Sequence, residues 1–450
     1  MKVILNTLLF TALGIFLSFG LKTENNKSVD ISKFKTNQNV NITVTTQNII
    51  DLANTFKATL TSSQITTLQL SYTLTNAETW SNLPASMSAR LGLKMGTLTT
   101  TQLTAARNLV QAMTGTGNEG YNEVFGLWMA DDFLVTSGAN SSQYGAGQFY
   151  IAFFGTPSLT GTFEIQMTGH HRTVANTYVN GVLQGATPSF VAVEPYASFT
   201  QGGVTYQPMI EEKTALVNML ASLTTTQLAT AKLSTTVSDL VCGPHVDWSF
   251  PATKSGLIAS GLTATQKQLI INAIATYVND VDDANAATIL AQYTNEIDQT
   301  YICWGTDATL NAQNGYVRID GPGVWIEYST QNGIILSPKH PHSIWRDHLK
   351  DYGGTGNLKI DTFDVVSKMM NFPNPVDKNT TFSFNLKEDA KIKINIYDMN
   401  GKLVTSPYNS SLPIGNNSII VDLSDLETGN YLYSIESNGV KSASKKLIKK

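Results

Sequence analysis

The stretch Phe163-Glu164-Ile165-Gln166-Met167 decides the fold class of this chain. Large apolar side chains alternate there with polar ones, and this period of two predicts a β-strand with one buried face. Phe149, Ile151 and Phe153 alternate in the same way shortly before it. We therefore expect a β-sheet near the middle of the chain, formed by residues that are distant from both termini.

Helical segments flank these strands, and four of them begin with one signature. The pattern Leu-Thr-x-x-Gln starts at Leu60, Leu98, Leu223 and Leu262. It is a capping box, because the Thr oxygen can accept the backbone N–H at N3 while the Gln reaches back to the cap N–H. The signatures are 38 and 39 residues apart within the two pairs, which suggests a duplicated helical unit. Helices beside an antiparallel sheet predict the α+β class, with a mixed helical and antiparallel-sheet main domain.

A second β region and a separate C-terminal part complete the predicted architecture. The region from Tyr316 to Tyr328 is interrupted at Gly321-Pro322-Gly323, and Asn180-Gly181 predicts a two-residue hairpin turn. Residues Lys391 to Tyr397 alternate cleanly, and several short strands of this kind are typical of a small sandwich. We expect a small all-β immunoglobulin-like sandwich after the main domain.

The chain is expected to divide into five parts. They are a signal peptide (1–20), a flexible leader (21–46), the main domain (47–353), a linker (354–370) and the C-terminal domain (371–450). Lys2 followed by the apolar run from Val3 to Phe19 is typical of a secretory signal, and that run is short for a membrane-spanning helix. We expect an exported protein without an integral membrane segment after signal removal.

Composition argues against one class of partner. The chain has 30 basic and 34 acidic residues, so no overall positive field attracts a phosphate backbone. We expect no binding to nucleic acid. Only 14% of the residues are charged, which suits a secreted or surface-exposed protein.

Reactive side chains concentrate in His340-Pro341-His342-Ser343-Ile344-Trp345-Arg346-Asp347. On an extended strand, His340 and His342 would point to one face, as a shared metal ion requires. In a polyproline conformation around Pro341 the two side chains would diverge, so both alternatives stay open. His170 and His171 follow the central strand, and because adjacent residues face opposite ways on a strand, we expect only one of them to join a site unless the chain turns there.

These residues suggest a metal-dependent site. Neutral imidazoles suit zinc, copper or iron, and the candidate ligands are His170, His171, His340 and His342. Glu194 or Glu327 could complete the ligand set or act as a general base, and Arg346 could orient a polar substrate. The alternative is that the imidazoles only hydrogen-bond buried carboxylates or backbone.

Two classes of function are compatible with these residues. The first is a secreted metal-dependent hydrolase, with a substrate that the sequence does not reveal. The second is a non-catalytic extracellular module that binds glycan or polymer through aromatic residues, Trp325, Tyr328 and Trp345 among them. Cys242 and Cys303 are the only cysteines, and in an oxidising compartment they could form one disulfide; the alternative is two buried thiols.

The C-terminal motifs resemble those of a known sorting domain. They are Asn371-Phe372-Pro373-Asn374-Pro375, then Ile394-x-Ile396-Tyr397-Asp398-x-x-Gly401-Lys402, Leu426-x-x-Gly429-x-Tyr431 and a Lys-rich end. The last 80 residues or so are similar to the type A C-terminal sorting domain of type IX secretion. This resemblance implies the type IX secretion machinery as a partner, export through the periplasm and outer membrane, removal of the tail, and release or attachment at the cell surface.

The part from about residue 47 to Gly353 carries a second set of motifs. They include Phe153-Phe154-Gly155-Thr156-Pro157-Ser158, Gly169-His170-His171, Pro188-Ser189-Phe190, Ile326-Glu327-Tyr328 and His340-x-His342-Ser343 through Arg346 to Asp351-Tyr352-Gly353. In these pieces this part of the chain resembles the domain-of-unknown-function 3500 family. The resemblance implies membership and positions but no reaction. This chain departs from the family pattern at Pro341 and at Arg172, which follows the paired histidines.

Overall fold

The computed structural model of the protein describes residues 44–336, 338–354, 366–386, 389–399, 402–437, 440–441 and 444–450. The predicted signal peptide, nearly all of the predicted leader and most of the predicted linker lie outside these residues. The chain forms two compact units, the first ending at Gly353 and the second beginning at Gly354.

Nine α-helices lie in the described part of the first unit. They are α1 (Thr46–Ala58), α2 (Ser62–Leu68), α3 (Leu74–Ala77), α4 (Thr100–Met113), α5 (Tyr121–Thr136), α6 (Ile210–Ala221), α7 (Thr225–Ala231), α8 (Ala264–Val278) and α9 (Asp283–Asn295). The four predicted capping boxes are all formed, at the starts of α2, α4, α7 and α8. None of the helices in the described residues is long and apolar enough to span a bilayer.

Fourteen strands lie in the same part of the chain. They are β1 (Gln69–Leu70), β2 (Leu93–Lys94), β3 (Tyr150–Phe154), β4 (Thr162–Gly169), β5 (Arg172–Val179), β6 (Val182–Gly185), β7 (Ser189–Ala192), β8 (Phe199–Gln201), β9 (Val204–Tyr206), β10 (Leu257–Ile258), β11 (Tyr301–Gly305), β12 (Tyr316–Asp320), β13 (Val324–Gln331) and β14 (His340–Asp347). Twelve of them form one sheet in the order β1-β3-β4-β5-β7-β14-β13-β12-β11-β10, with β2 beside β3 and β6 beside β5. This sheet and its helices confirm the predicted α+β class.

The two halves of the sheet repeat one order of elements. The first half contains, in chain order, α2, β2, α4, α5, β3, β4 and β5. The second half contains the corresponding series α7, β10, α8, α9, β11, β12 and β13. The antiparallel pair β7–β14 lies between the halves. The registers agree, because Leu93 pairs with Ile151 in one half and Leu257 pairs with Ile302 in the other. The duplication suggested by the capping boxes therefore extends beyond the helices to the strands.

Both faces of the central strands are buried. Ile165 and Met167 pack with residues of α1, α4 and α5 in one hydrophobic cluster. On the opposite face, Glu164 and Gln166 are also buried, and the Gln166 side chain donates to the carbonyl of Ala77 at 2.9 Å. The alternating pattern predicted only one buried face, and that expectation is wrong because the segment that contains α3 covers the polar side of these strands.

The aromatic residues proposed for glycan binding lie in the core. Trp325 is 0% exposed, and Tyr328 and Trp345 are each 1% exposed. An aromatic side chain must present its face to solvent to stack on a sugar ring, so these three residues do not form such a surface. The binding-module alternative therefore loses the three aromatic residues that were named for it.

The predicted Cys242–Cys303 disulfide is not formed, and both residues are buried free thiols. The Cys242 backbone N–H donates to Glu327 on β13, whereas Cys303 lies on β11, two strands away. Burial raises the pKa of Cys242 to about 12 and that of Cys303 to about 11, so both are thiols near neutral pH.

The second unit is a small all-β sandwich, as predicted. Its strands are β15 (Val366–Phe372), β16 (Asn379–Leu386), β17 (Ala390–Tyr397), β18 (Leu403–Leu412), β19 (Gly415–Asp422), β20 (Gly429–Ser437), β21 (Val440–Lys441) and β22 (Lys445–Lys449). One sheet has the order β15-β16-β19 and the other β18-β17-β20-β21, with β22 beside β20. Side chains of both sheets, such as Phe382 and Ile394, share one hydrophobic core.

Candidate metal centre

Two chain segments bring histidines together at one end of the sheet. His170 and His171 form the turn between β4 and β5, and His340 and His342 lie on β14. Strand β7 lies between β5 and β14 and joins them, since its Ala192 pairs with His342 and donates its N–H to the carbonyl of His171 at 2.9 Å. The order β5-β7-β14 therefore places residues about 170 positions apart in the chain side by side.

The backbone of His171 adopts a conformation that side chains other than glycine rarely take. Its φ is +66°, in the left-handed region. The His171 N–H donates to the carbonyl of Asn82 at 3.3 Å, so a covering loop also holds this turn. A non-glycine residue in this region costs free energy and persists only where its surroundings determine it. The turn orients the two adjacent histidines differently from an extended strand.

Three of the four predicted ligand histidines converge. One ligand nitrogen from each of His171, His340 and His342 lies within 4.8 Å of the others. The Nε2 atoms of His340 and His342 are 3.1 Å apart. Two nitrogens on one tetrahedral zinc ion, each about 2.0–2.1 Å from the metal, would lie about 3.3 Å apart. The residues present therefore fit a shared metal ion without a large rearrangement.

The imidazoles of this cluster favour the neutral form. Burial and the neighbouring histidines lower the pKa of His171 well below its usual value. Burial, followed by the charge of His342, lowers the pKa of His340 to about 3. Only neutral imidazole can donate a lone pair to a metal, so near neutral pH no proton competes at these two residues.

Two carboxylates that sequence reasoning missed hold the histidine rings. Nδ1 of His342 lies 3.1 Å from Asp239, whose side chain is half exposed. Nδ1 of His170 donates to the buried carboxylate of Asp131 at 2.5 Å, and His170 is outside the converging group of three. A carboxylate on the outer nitrogen of a ligand histidine is a common arrangement at metal sites. No local motif surrounds Asp131 or Asp239 in the sequence, so only the fold reveals them.

The structure places Glu327 and Glu194 in other hydrogen-bond networks. The buried carboxylate of Glu327 accepts four hydrogen bonds, from Val241 N–H, Cys242 N–H, Tyr316 O–H and Trp325 Nε1–H. Oε1 of Glu194 accepts the backbone N–H groups of Ile335 and Leu336, at 2.9 and 2.6 Å, in the loop that leads to His340. Glu327 thus binds the 241–242 segment, and Glu194 holds a loop beside the histidines.

Arg346 is also engaged within the protein. Its Nη1 donates to both Asp247 and Asp351 at 2.9 Å, and its Nε donates to the carbonyl of Cys242 at 2.7 Å. The side chain is fully buried. In this arrangement Arg346 fastens the covering segment of residues 242–247 onto the sheet.

Comparison with known proteins identifies both units. The model of a secretion-system C-terminal sorting domain matches residues 371–450. The protein is therefore exported by type IX secretion to the cell surface or the extracellular space. No curated protein matches the chain. Among solved structures, dimeric latent PorU from Porphyromonas gingivalis is 21% identical, with a TM-score of 0.17, over 32% of this chain and 14% of that one.

The first unit matches a family model over residues 43–354, which is more than half of the chain. That span contains the twelve-stranded sheet, its helices and all six histidines. This match agrees with the family resemblance that the sequence motifs indicated. The chain belongs to the family described as protein of unknown function (DUF3500).

Proposed function

We propose that this exported protein is a metal-dependent hydrolase whose metal ligands are His171, His340 and His342. The observation that carries the proposal is the convergence of one nitrogen from each residue within 4.8 Å. Three protein ligands leave one position of a tetrahedral ion open, which is the arrangement of catalytic zinc sites. A bound ion of this kind would supply Lewis-acid activation of a water for hydrolysis.

The duplicated fold provides an internal comparison that supports this role. The turn between β12 and β13 corresponds to the turn that carries His170 and His171, and it consists of Gly321-Pro322-Gly323. The same strand connection is thus made without any histidine. Histidines are therefore not required to form this hairpin. The positive φ of His171 costs free energy of folding, so stability alone does not favour a histidine at this position.

The surroundings of the three histidines suit a reactive centre better than a closed structural site. His171 and His340 are buried, while the His342 side chain remains 13% exposed and meets the half-exposed Asp239. In the proposal, Asp239 orients the His342 ring through Nδ1 and marks the side that water reaches. Glu194, Glu327 and Arg346 support the surrounding loops through the hydrogen bonds that they form there.

Elemental analysis of the purified protein tests the proposal. We expect close to one transition-metal ion per chain after reconstitution with zinc, copper or iron. His342→Ala should remove most of the metal, whereas His348→Ala should retain it, because His348 hydrogen-bonds Asp320 away from the cluster. A wild-type protein with less than about a tenth of an equivalent of every metal offered would overturn the proposal.

A substrate panel then separates catalysis from simple metal binding. Hydrolysis of esters, amides, glycosides or phosphoesters should appear with the metal-loaded protein and disappear with chelator. The His342→Ala protein should show no such activity under the same conditions. Activity that persists equally in this variant would assign the reaction to another part of the protein.

A further inference from the structure

His170 was a candidate ligand, but its ring has a different position from those of the three converging histidines. It stacks on the ring of His171, with centroids 3.6 Å apart and planes 25° apart. His171 is also stacked against His340 on another side, at 5.4 Å. Among the described residues, none forms a hydrogen bond with the His171 imidazole. The left-handed backbone of the turn and the stacking of the rings therefore set the direction of this ligand together.

The ring of His170 is itself firmly fixed. Its Nδ1 donates to Oδ1 of Asp131 at 2.5 Å, and the edge of its ring meets Tyr144 at 4.9 Å in a nearly perpendicular contact. The second carboxylate oxygen of Asp131 accepts the N–H of Gly145, next to Tyr144. Asp131 is 3% exposed and lies on α5, a sixteen-residue helix. One carboxylate thus holds both the His170 ring and the backbone next to the Tyr144 ring that contacts it.

From these contacts we infer that Asp131 is a positioning residue for the metal centre, acting through His170 to hold His171 in the direction that binding requires. The inference rests on the proposed function and extends it by two residues that do not touch the metal. Ligand groups must be held within about 0.5 Å of their productive geometry. Outer partners of metal ligands typically change metal affinity by about 10- to 100-fold when removed.

The neighbouring residue provides a matched control. Oδ1 of Asp132 accepts the N–H of Ala146 at 2.8 Å, as Asp131 accepts the N–H of Gly145 at 2.7 Å. The two carboxylates therefore anchor the same turn, but only Asp131 contacts His170. Asp131→Ala and Asp132→Ala should affect this turn to a similar extent, since each removes the acceptor for one backbone N–H, whereas only Asp131→Ala also removes the acceptor for His170.

Cobalt(II) titration of the metal-free full chain, followed by visible absorption, tests the inference. We expect Asp131→Ala to bind cobalt at least about tenfold more weakly than wild type and with a shifted spectrum. Asp132→Ala should bind with wild-type affinity and spectrum. His170→Ala should lose as much affinity as Asp131→Ala, and the double variant should lose no more than either, because Asp131 acts through His170.

Each other outcome overturns a defined part of the reasoning. If wild type binds cobalt and Asp131→Ala behaves like Asp132→Ala, the positioning role is refuted and the proposed metal centre stands. If wild type binds none of cobalt, zinc, copper and iron, both are refuted. If Asp131→Ala does not fold, as judged by circular dichroism, the comparison of His170→Ala with Asp132→Ala decides, and wild-type affinity in His170→Ala refutes the role.

Discussion

Replacing Glu327 by Gln distinguishes the structural role of this residue from a role at the metal. Gln has the same shape, but one carboxylate oxygen becomes an NH2 group that cannot accept. Each oxygen of Glu327 accepts two hydrogen bonds at 2.6–2.8 Å, so two buried donors lose their acceptor. A hydrogen bond to a charged group contributes about 1.5–3 kcal/mol, and we expect the variant to lose about 3–6 kcal/mol of stability with unchanged metal content.

Urea unfolding followed by tryptophan fluorescence measures this effect, because all six tryptophans lie in the first unit. Asp298→Asn is the control, since its carboxylate is 64% exposed and pairs with Lys267 at the surface. That variant should stay within about 0.5 kcal/mol of wild type. A Glu327→Gln protein of wild-type stability that loses its metal would refute the structural assignment and restore Glu327 as a ligand or base.

Three further changes have expected outcomes. Burial raises the pKa of Glu212 to about 8, compared with about 4.3 in an unfolded chain. The contribution of Glu212 to stability is therefore complete below about pH 4.3 and is lost as the pH rises through about 8. Glu212→Gln should flatten this decline when the free energy of unfolding is measured as a function of pH. Gly256→Ala should lower the free energy of unfolding by at least about 2 kcal/mol, because φ is +100° and a Cβ would lie 2.2 Å from the Ile302 carbonyl oxygen. Gly261→Ala is the control, since a Cβ there meets open space and should change the unfolding midpoint little. Deleting residues 371–450 should leave the metal centre intact and prevent export, and normal amounts of truncated protein in the medium would contradict this.

Short-range signals predicted the secondary structure well. The capping boxes mark helix starts because their hydrogen bonds join residues three positions apart, which no distant segment needs to complete. Asn180-Gly181 forms the expected two-residue turn between β5 and β6, since both residues adopt positive φ there. The sorting motifs likewise identified the C-terminal unit from residues close together in the chain.

Burial on the second face of the sheet was not predictable in the same way. Alternation shows which side chains of a strand are apolar, but Glu164 and Gln166 are polar and nevertheless buried. They are covered because Ala77 and Thr177 supply hydrogen-bond partners for them. A polar group can be buried once it is hydrogen-bonded, and the identity of its partner is a property of the assembled fold.

The sequence by itself determined the α+β class, the helix starts, the export tail and the set of candidate metal ligands. Only the tertiary structure decided which of the four histidines converge. That choice depends on the order β5-β7-β14, on the left-handed turn at His171 and on the extended form of β14, which aligns His340 with His342. The roles of Asp131 and Asp239 could not be predicted for the same physical reason. Each side chain acquires its role from a histidine that folding brings next to it, either from another element or from more than a hundred residues away. Local sequence does not encode such a contact.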